Sequence, residues 1–310
     1  MKIAVLIPCY NEELTVAKVV QDFKKALPEA DIFVYDNNSS DRTIEIAQKA
    51  GAIVRREGRQ GKGNVVRTMF REIEADVYVL VDGDDTYPAE EVHGLIEHVV
   101  RNEADMVIGD RLSNGRYQEQ NKRNFHEFGN KLVQTLVNRI FNSDIRDIMT
   151  GYRVFSRFFV KNFPILSKGF QIETEMTVFA LNHNFKVKES AITYRDRPEG
   201  SFSKLNTIRD GAKVLNILYE LFKNTRPMLF FALVSFIFFV ASLVVGVPVI
   251  YEFILTHYIT LVPSAILASG LAVMAALFLI VALILDTMAY YNRIDMEYRL
   301  NMYFENHNKR

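Results

Sequence analysis

Val77-Tyr78-Val79-Leu80-Val81-Asp82-Gly83-Asp84-Asp85-Thr86-Tyr87-Pro88 is the stretch on which the reading of this chain turns. Val77 to Val81 is an apolar run of strand length, rich in β-branched and aromatic residues. Pro88 can open a helix at its first position, and Ala89-Glu90-Glu91 then places acids in the first turn. Asp82, Asp84 and Asp85 therefore stand where a buried strand ends and a helix begins. Ligands of open α/β sheets bind outside the carboxyl ends of the strands. Clustered Asp side chains with a Gly between them suit a hard divalent cation and the phosphates it carries. Taken alone, the stretch reads more simply as an Asp-rich turn capping the helix at Pro88.

The residues before it change that balance. Ile3 to Ile7 is a buried strand, and Pro8-Cys9-Tyr10-Asn11-Glu12-Glu13 is the turn after it. Asn11 can cap a helix to about Leu27, with Leu14, Ala17, Val20 and Phe23 on its inner face. Ile32 to Tyr35 is a second strand, ending in Asp36-Asn37-Asn38-Ser39-Ser40-Asp41. A helix from Thr43 to Ala50 stops at Gly51, and Ala52 to Val54 is a short strand. Gly58 to Asn64 forms a basic loop around Gly61-Lys62-Gly63, followed by a helix to about Ile73. Strands alternating with helices predict a mostly parallel sheet. The strands at Ile3, Ile32 and Val77 all end in polar residues, which gather on one sheet edge.

Beyond the acidic stretch, a helix over about 90–100 precedes a strand at Asp105 to Gly109, which delivers Asp110 and Arg111 to the same edge. Asn124 to Phe141 has helical spacing at Phe125, Phe128, Leu132, Leu136 and Ile140. Residues 144–153 read as a loop carrying Asp147. Ile172 to Leu181 reads as a helix with Glu173 and Glu175, and Phe185 to Tyr194 as a strand. The segment after that strand contains Arg197, Ser203 and Lys204.

Lys+Arg and Asp+Glu balance at 37 each, which leaves no global basic signature for nucleic acid. The single Cys excludes an internal disulfide framework; a small buried role at a strand end suits Cys9. The N-terminal apolar run is too short before Pro8 to read as a signal peptide. Residues 206–226 read as an amphipathic helix that lies at the membrane interface or packs as an ordinary helix. Two runs, about 227–250 and 260–285, are free of charge and long enough to cross a hydrocarbon core of about 30 Å. Lys223 and Arg226 on one side and Arg293 and Arg299 on the other place both outer flanks in the cytoplasm. The expected organisation is an α/β domain over 1–205, the juxtamembrane helix, a two-helix transmembrane hairpin, and a cytoplasmic tail over 286–310 at the plasma membrane. The interfacial helix and tail are compatible with a homo-oligomer.

This layout suggests a diphosphate substrate and a lipid one. Asp82 and Asp84 suit Mg²⁺ or Mn²⁺, and Lys62, Arg197 and Lys204 are candidate anion contacts. Arg111 and Arg123 lie in the half of the domain that would take an acceptor, and guanidinium forks match phosphate oxygens.

The ordered set Ile7-Pro8-Cys9-Tyr10-Asn11-Glu12-Glu13, Asp36-Asn37-Asn38-Ser39, Gly61-Lys62-Gly63 and Asp82-Gly83-Asp84-Asp85 resembles inverting family 2 glycosyltransferases with the GT-A fold. Residues 149–157 (MTGYRVFSR) and 194–205 (YRDRPEGSFSKL) resemble the polyprenyl-phosphate group within it. That group includes dolichol-phosphate mannose synthase and bacterial undecaprenyl-phosphate glucosyltransferases. The resemblance implies that Pro8, Tyr10, Asn11, Glu12, Asp36 and Asn38 line the nucleotide pocket. It places Lys62 by the nucleotide or diphosphate, and Asp82, Gly83 and Asp84 in the metal-binding motif, with Asp84 favoured for direct contact. Asp85 is left open. Arg111 and Arg123 would hold the acceptor phosphate, Asp147 would orient substrate, and Arg197, Ser203 and Lys204 would close over the diphosphate. The implied reaction is metal-dependent transfer from a nucleotide sugar, UDP-glucose favoured over UDP-N-acetylglucosamine and GDP-mannose, to undecaprenyl phosphate or a similar lipid.

Rival readings explain less. A processive polysaccharide synthase needs a translocation channel and a Trp-containing acceptor motif, and this chain has no Trp. A nucleotidyltransferase leaves the membrane tether unexplained, and a non-catalytic scaffold leaves the Asp pair, Arg197 and Lys204 unexplained.

Overall fold

A computed structural model of the chain describes residues 1–113, 124–169, 171–198, 219–220, 223 and 226–307. Arg123, Ser203, Lys204 and most of the expected juxtamembrane helix lie outside these residues. The chain divides into two units, Met1–Val214 and Leu215–Arg310.

The first unit is built on a seven-stranded sheet. Its strands are β1 (Ile3–Cys9), β2 (Asp31–Asp36), β3 (Ile53–Arg56), β4 (Val77–Leu80), β5 (Met106–Asp110), β6 (Arg153–Ser156) and β7 (Val187–Ala191). Their spatial order is β3-β2-β1-β4-β6-β5-β7. All pairings are parallel except those of β6, which runs antiparallel to both β4 and β5. The mostly parallel α/β sheet expected from the sequence is the one observed. The helices are α1 (Val16–Ala26), α2 (Thr43–Lys49), α3 (Lys62–Glu72), α4 (Val92–Val100), α5 (Asn124–Phe141), α6 (Arg157–Asn162) and α7 (Ile172–Asn182).

Continuous apolar runs form the central strands because both faces are covered. Residues Ala4 to Ile7 and Val79 to Val81 are fully buried. The pairing of β1 with β4 ends at Leu6–Leu80, whereas its pairing with β2 continues to Cys9–Asp36. Past that point Pro8 has no N–H to donate, and the end of β1 stays close to the acidic turn: a Cβ on Gly83 would lie 2.7 Å from Cys9 Sγ. The carboxyl ends of β1, β2, β4 and β5 thus share one edge.

Several local expectations need correction. Arg153 opens a strand, Arg153–Ser156, rather than ending a loop; its charge hides the strand in sequence. Because β6 is antiparallel, the turn before it, Thr150-Gly151-Tyr152, reaches the same edge as the ends of its parallel neighbours. Helix α1 begins five residues after Asn11, following Thr15. Asn11 itself adopts a left-handed conformation, φ 54°. Its buried stripe is Val16, Val19, Val20 and Phe23, and Leu14 is exposed. Pro88 opens a short 3₁₀ turn, Ala89–Glu91, ahead of α4. Among the described side chains of α5, Val133 and Val137 are buried and Leu132 is exposed; Phe125 and Phe128 lie outside them.

The second unit contains α8 (Pro227–Thr256) and α9 (Val262–His307), joined at His257 in a left-handed turn. They pack as an antiparallel pair. Ser235 Oγ donates to the Ala275 carbonyl at 2.7 Å and Ser242 Oγ to that of Ala268 at 2.8 Å. Phe238 stacks on Phe278 with ring centroids 5.3 Å apart. Both helices are long and apolar enough to cross a membrane, and they leave many large apolar side chains exposed. The expected tail continues α9 without interruption as far as His307.

Candidate active site

The turn after β1 is stitched to the turn after β2. Asn11 N donates to Ser39 Oγ at 2.8 Å, and Ser40 N donates to Asn11 Oδ1 at 2.8 Å. Glu12 N donates to Thr43 Oγ1 at 2.8 Å. Asp36 is fully buried and accepts from Ser39 N. Asn37, passed over in the sequence, is the organiser of the next loop. Its amide donates to the carbonyls of Glu57 and Arg59, and its oxygen accepts from Gly61 N at 2.7 Å. Asn38 reaches the Gly58 carbonyl at 2.9 Å. Tyr10 is 39% exposed beside these turns.

Helix α3 opens directly at Lys62. Residues 167–168 run close against it. A Cβ on Gly61 would lie 2.1 Å from the Lys168 carbonyl oxygen, and one on Gly63 2.2 Å from that of Ser167. Glycine at both positions lets that backbone approach and encloses the lysine between them. Lys62 Nζ lies 2.5 Å from Asp82 Oδ1 and 2.7 Å from Glu173 Oε1. Burial opposes its charge, but Asp82 and Glu173 together hold the ammonium above its ordinary range. Burial pushes the Glu173 carboxyl up, and Lys62 only partly opposes it.

The Asp residues have separate surroundings. Asp82 is partly exposed and faces Gly151, where a Cβ would stand 2.3 Å from Asp82 Oδ2. Asp84 is buried, accepts from Thr86 Oγ1 at 2.6 Å and pairs with Arg197 Nη2 at 2.5 Å. Burial and the Asp82 charge raise its carboxyl, with Arg197 opposing. Asp85 turns to α1, where Lys18 Nζ meets it at 2.6 Å; its φ is 59°. The Gly83 carbonyl accepts from Thr15 Oγ1 at 2.6 Å.

The second half of the site is a buried network. Arg111 and Asp147 form a two-point ion pair. The Asp147 N–H is held by Glu189 Oε1 at 2.9 Å. Tyr87 Oη accepts from Gly151 N at 3.0 Å and lies 3.4 Å from Arg111 Nη1. Burial keeps its hydroxyl protonated by raising it well above the ordinary range. Arg153 is fully buried and spends its guanidinium on the Ile148 and Thr150 carbonyls and Thr177 Oγ1. Burial lowers it to about 10.

The structure therefore brings Lys62, Asp82, Asp84, Arg197, Arg111 and Asp147 to one sheet edge. Glu173, Tyr87 and Arg153, to which the sequence reading gave no role, join them. Asp82 and Asp84 are oxygen ligands of the type a hard cation takes, but each is paired with a side-chain cation here, Lys62 and Arg197. No cluster of three or more candidate ligands occurs among the described residues.

The comparisons agree with this architecture. Over 72% of this chain and 79% of the other, the fold matches glucosyl-3-phosphoglycerate synthase from Mycobacterium tuberculosis at TM-score 0.58 and 17% identity. That enzyme was solved with Mn²⁺, UDP-glucose and phosphoglyceric acid. The fold is of the GT-A class. The glycosyltransferase AglJ of Haloferax volcanii is 34% identical over 253 residues, covering 81% of this chain and 82% of that protein. A dolichol-phosphate mannosyltransferase of Pyrococcus furiosus is 31% identical over 218 residues, 66% of this chain and 59% of that one. The profile of Glycosyl transferase family 2 matches residues 4–163. The chain belongs to glycosyltransferase family 2, and its activity is sugar transfer.

Proposed function

We propose that this glycosyltransferase moves a hexose, with inversion, from a nucleoside-diphosphate sugar to a polyprenyl phosphate at the cytoplasmic face of the plasma membrane. The observation that carries the reading is the double ion pair at the end of β4, Lys62 with Asp82 and Arg197 with Asp84. These groups match a diphosphate and its counter-cation. UDP-glucose is the favoured donor, supported by the donor bound in the structural relative. The lipid phosphate is supported by the name of the Pyrococcus relative and by two helices able to cross a membrane.

Asp82 and Asp84 would hold Mg²⁺ or Mn²⁺, which would neutralise the leaving diphosphate as a Lewis acid. Pro8 to Glu12, Asp36 and Asn38 would line the nucleotide pocket. Lys62 and Arg197, with Ser203 and Lys204, would bind the diphosphate. Arg111 and Arg123 would hold the acceptor phosphate, and Asp147 would orient it through Arg111. A phosphate oxygen attacks the anomeric carbon as the bond from that carbon to the diphosphate breaks, and the bonding electrons leave with the diphosphate. The nucleophile is already anionic near pH 7, so no residue needs to remove a proton. The protein's task is alignment and charge stabilisation.

The test incubates purified protein with undecaprenyl phosphate and UDP-glucose, UDP-N-acetylglucosamine or GDP-mannose, with and without Mn²⁺ or Mg²⁺. Mass spectrometry should find a hexosyl polyprenyl phosphate that depends on the metal. Absence of a lipid-linked product with every donor would overturn the reading.

A further inference from the structure

The Lys62 ammonium stands between two carboxylates, and its side chain is only 7% exposed. One, Asp82, belongs to the acidic turn. The other, Glu173, lies at the start of α7, 111 residues away in sequence. Arg197, the cation on Asp84, is 29% exposed. Lys62 has no comparable exposure to water. An ammonium left buried without a counter-charge is strongly unfavourable.

Asp82 cannot serve a divalent cation fully while Lys62 holds its oxygen, because the two positive charges repel across a few ångströms. Moving the ammonium toward Glu173 relieves that repulsion and keeps the lysine paired. Its charge then remains beside the cleft, available to the diphosphate. We propose that Glu173 is a positioning residue for donor binding: it retains the Lys62 ammonium when Asp82 turns to a divalent cation. This inference rests on the metal reading of Asp82 and Asp84. Without the Glu173 carboxylate, Lys62 competes for Asp82 undiminished and the cation site weakens. Without the Lys62 ammonium, the same site strengthens toward a bare cation while the diphosphate loses a contact.

The experiment titrates Mn²⁺ into the full-length protein in detergent, with and without UDP, and follows free Mn²⁺ by electron paramagnetic resonance. E173Q should weaken Mn²⁺ binding in the presence of UDP by about tenfold, whereas E173D should retain most of it. K62M should bind Mn²⁺ alone more tightly than the unmodified protein, and, without UDP, K62M/E173Q should bind Mn²⁺ more tightly than E173Q. E173Q affinity within about twofold of the unmodified protein overturns the proposal. So does a K62M/E173Q protein as weak as E173Q without UDP, since Glu173 would then act as a ligand or a prop. If E173Q does not fold, K62M decides: unchanged or weaker binding of Mn²⁺ alone overturns it. An unmodified protein with no saturable Mn²⁺ binding, with or without UDP, removes the metal reading itself. Normal binding there with an indifferent E173Q removes only the role of Glu173.

Discussion

Arg111 grips Asp147 at two points, Nε to Oδ2 at 2.7 Å and Nη2 to Oδ1 at 2.9 Å. The backbone N–H of Arg111 adds a third contact to Oδ2 at 3.1 Å. Both side chains are buried. In sequence these residues read as two separate substrate contacts. In the fold each fixes the other, so under the proposed function Asp147 would act on an acceptor phosphate by setting the direction of the guanidinium.

That pairing makes a specific prediction for Asp147→Asn. The amide oxygen can still accept from Arg111, but the charge that anchors the pair is gone. Turnover should fall by about tenfold to a hundredfold while remaining measurable, in the range of misaligned substrates. Asp147→Ala strands a buried guanidinium and should cost about 3–5 kcal/mol of stability. Steady-state kinetics on Asp147→Asn and thermal unfolding of Asp147→Ala check the two. Complete loss of turnover in Asp147→Asn with both substrates binding normally would make Asp147 a participant in the chemistry.

Asp84→Asn should abolish metal-stimulated transfer. The buried carboxylate offers its charge to Arg197 or to a cation, and a neutral amide serves neither well. The rate is measured at saturating donor across a Mn²⁺ series. Wild-type rates in that series would remove Asp84 from the metal site.

Gly151→Ala tests the contact between β6 and the acidic turn. The added methyl would meet Asp82 Oδ2 at 2.3 Å and Cγ at 2.8 Å, so Asp82 must move. If Asp82 holds the cation, the affinity for Mn²⁺ with UDP should drop by about tenfold, a loss of about 1.4 kcal/mol. The acceptor KM should change little. Equal donor affinities in the two proteins would show that Asp82 tolerates displacement.

The sheet and its functional edge were legible because buried strands and the polar turns that follow them differ sharply in composition. Val77–Val81 followed by Asp82, and Ile3–Ile7 followed by Pro8, announce themselves locally. Strand β6 did not, because its first residue is Arg153, whose charge is satisfied by the Ile148 and Thr150 carbonyls and Thr177 rather than by water. The start of α1 was misplaced because Asn11 is a good helix cap by type. Here its oxygen caps Ser40 N across the neighbouring turn instead. Asp82, Asp84, Lys62 and Arg197 were legible as residues, but their pairings were not. Glu173 meets Lys62 only through the packing of α7 against the opening of α3, and no local pattern encodes that meeting. The role of Asp85 was left open in sequence; its left-handed backbone and its contact with Lys18 turn it to α1.

The loop that leads into Lys62 should carry an acid-sensitive share of the stability. Glu57 is buried at the end of β3, and Arg59, Thr68 and the Arg59 N–H all contact its carboxylate. Hydrogen bonds from Arg59 outweigh burial and, with those from Thr68, bring its carboxyl from 4.5 down to about 2. A depressed carboxyl stabilises the fold above the unfolded value and loses that contribution as pH falls through the folded one. At about 1.36 kcal/mol per pKa unit the ceiling is about 3 kcal/mol. Arg59 is 59% exposed, and solvent screening reduces the figure to about 1–2 kcal/mol. Glu57→Gln should therefore be less stable by about that amount at pH 7, and the two proteins should converge as the pH approaches about 2. Thermal unfolding midpoints of the full-length protein between pH 7 and pH 3 follow the convergence. Curves that stay parallel over that interval would mean that the Glu57 charge does not hold the loop.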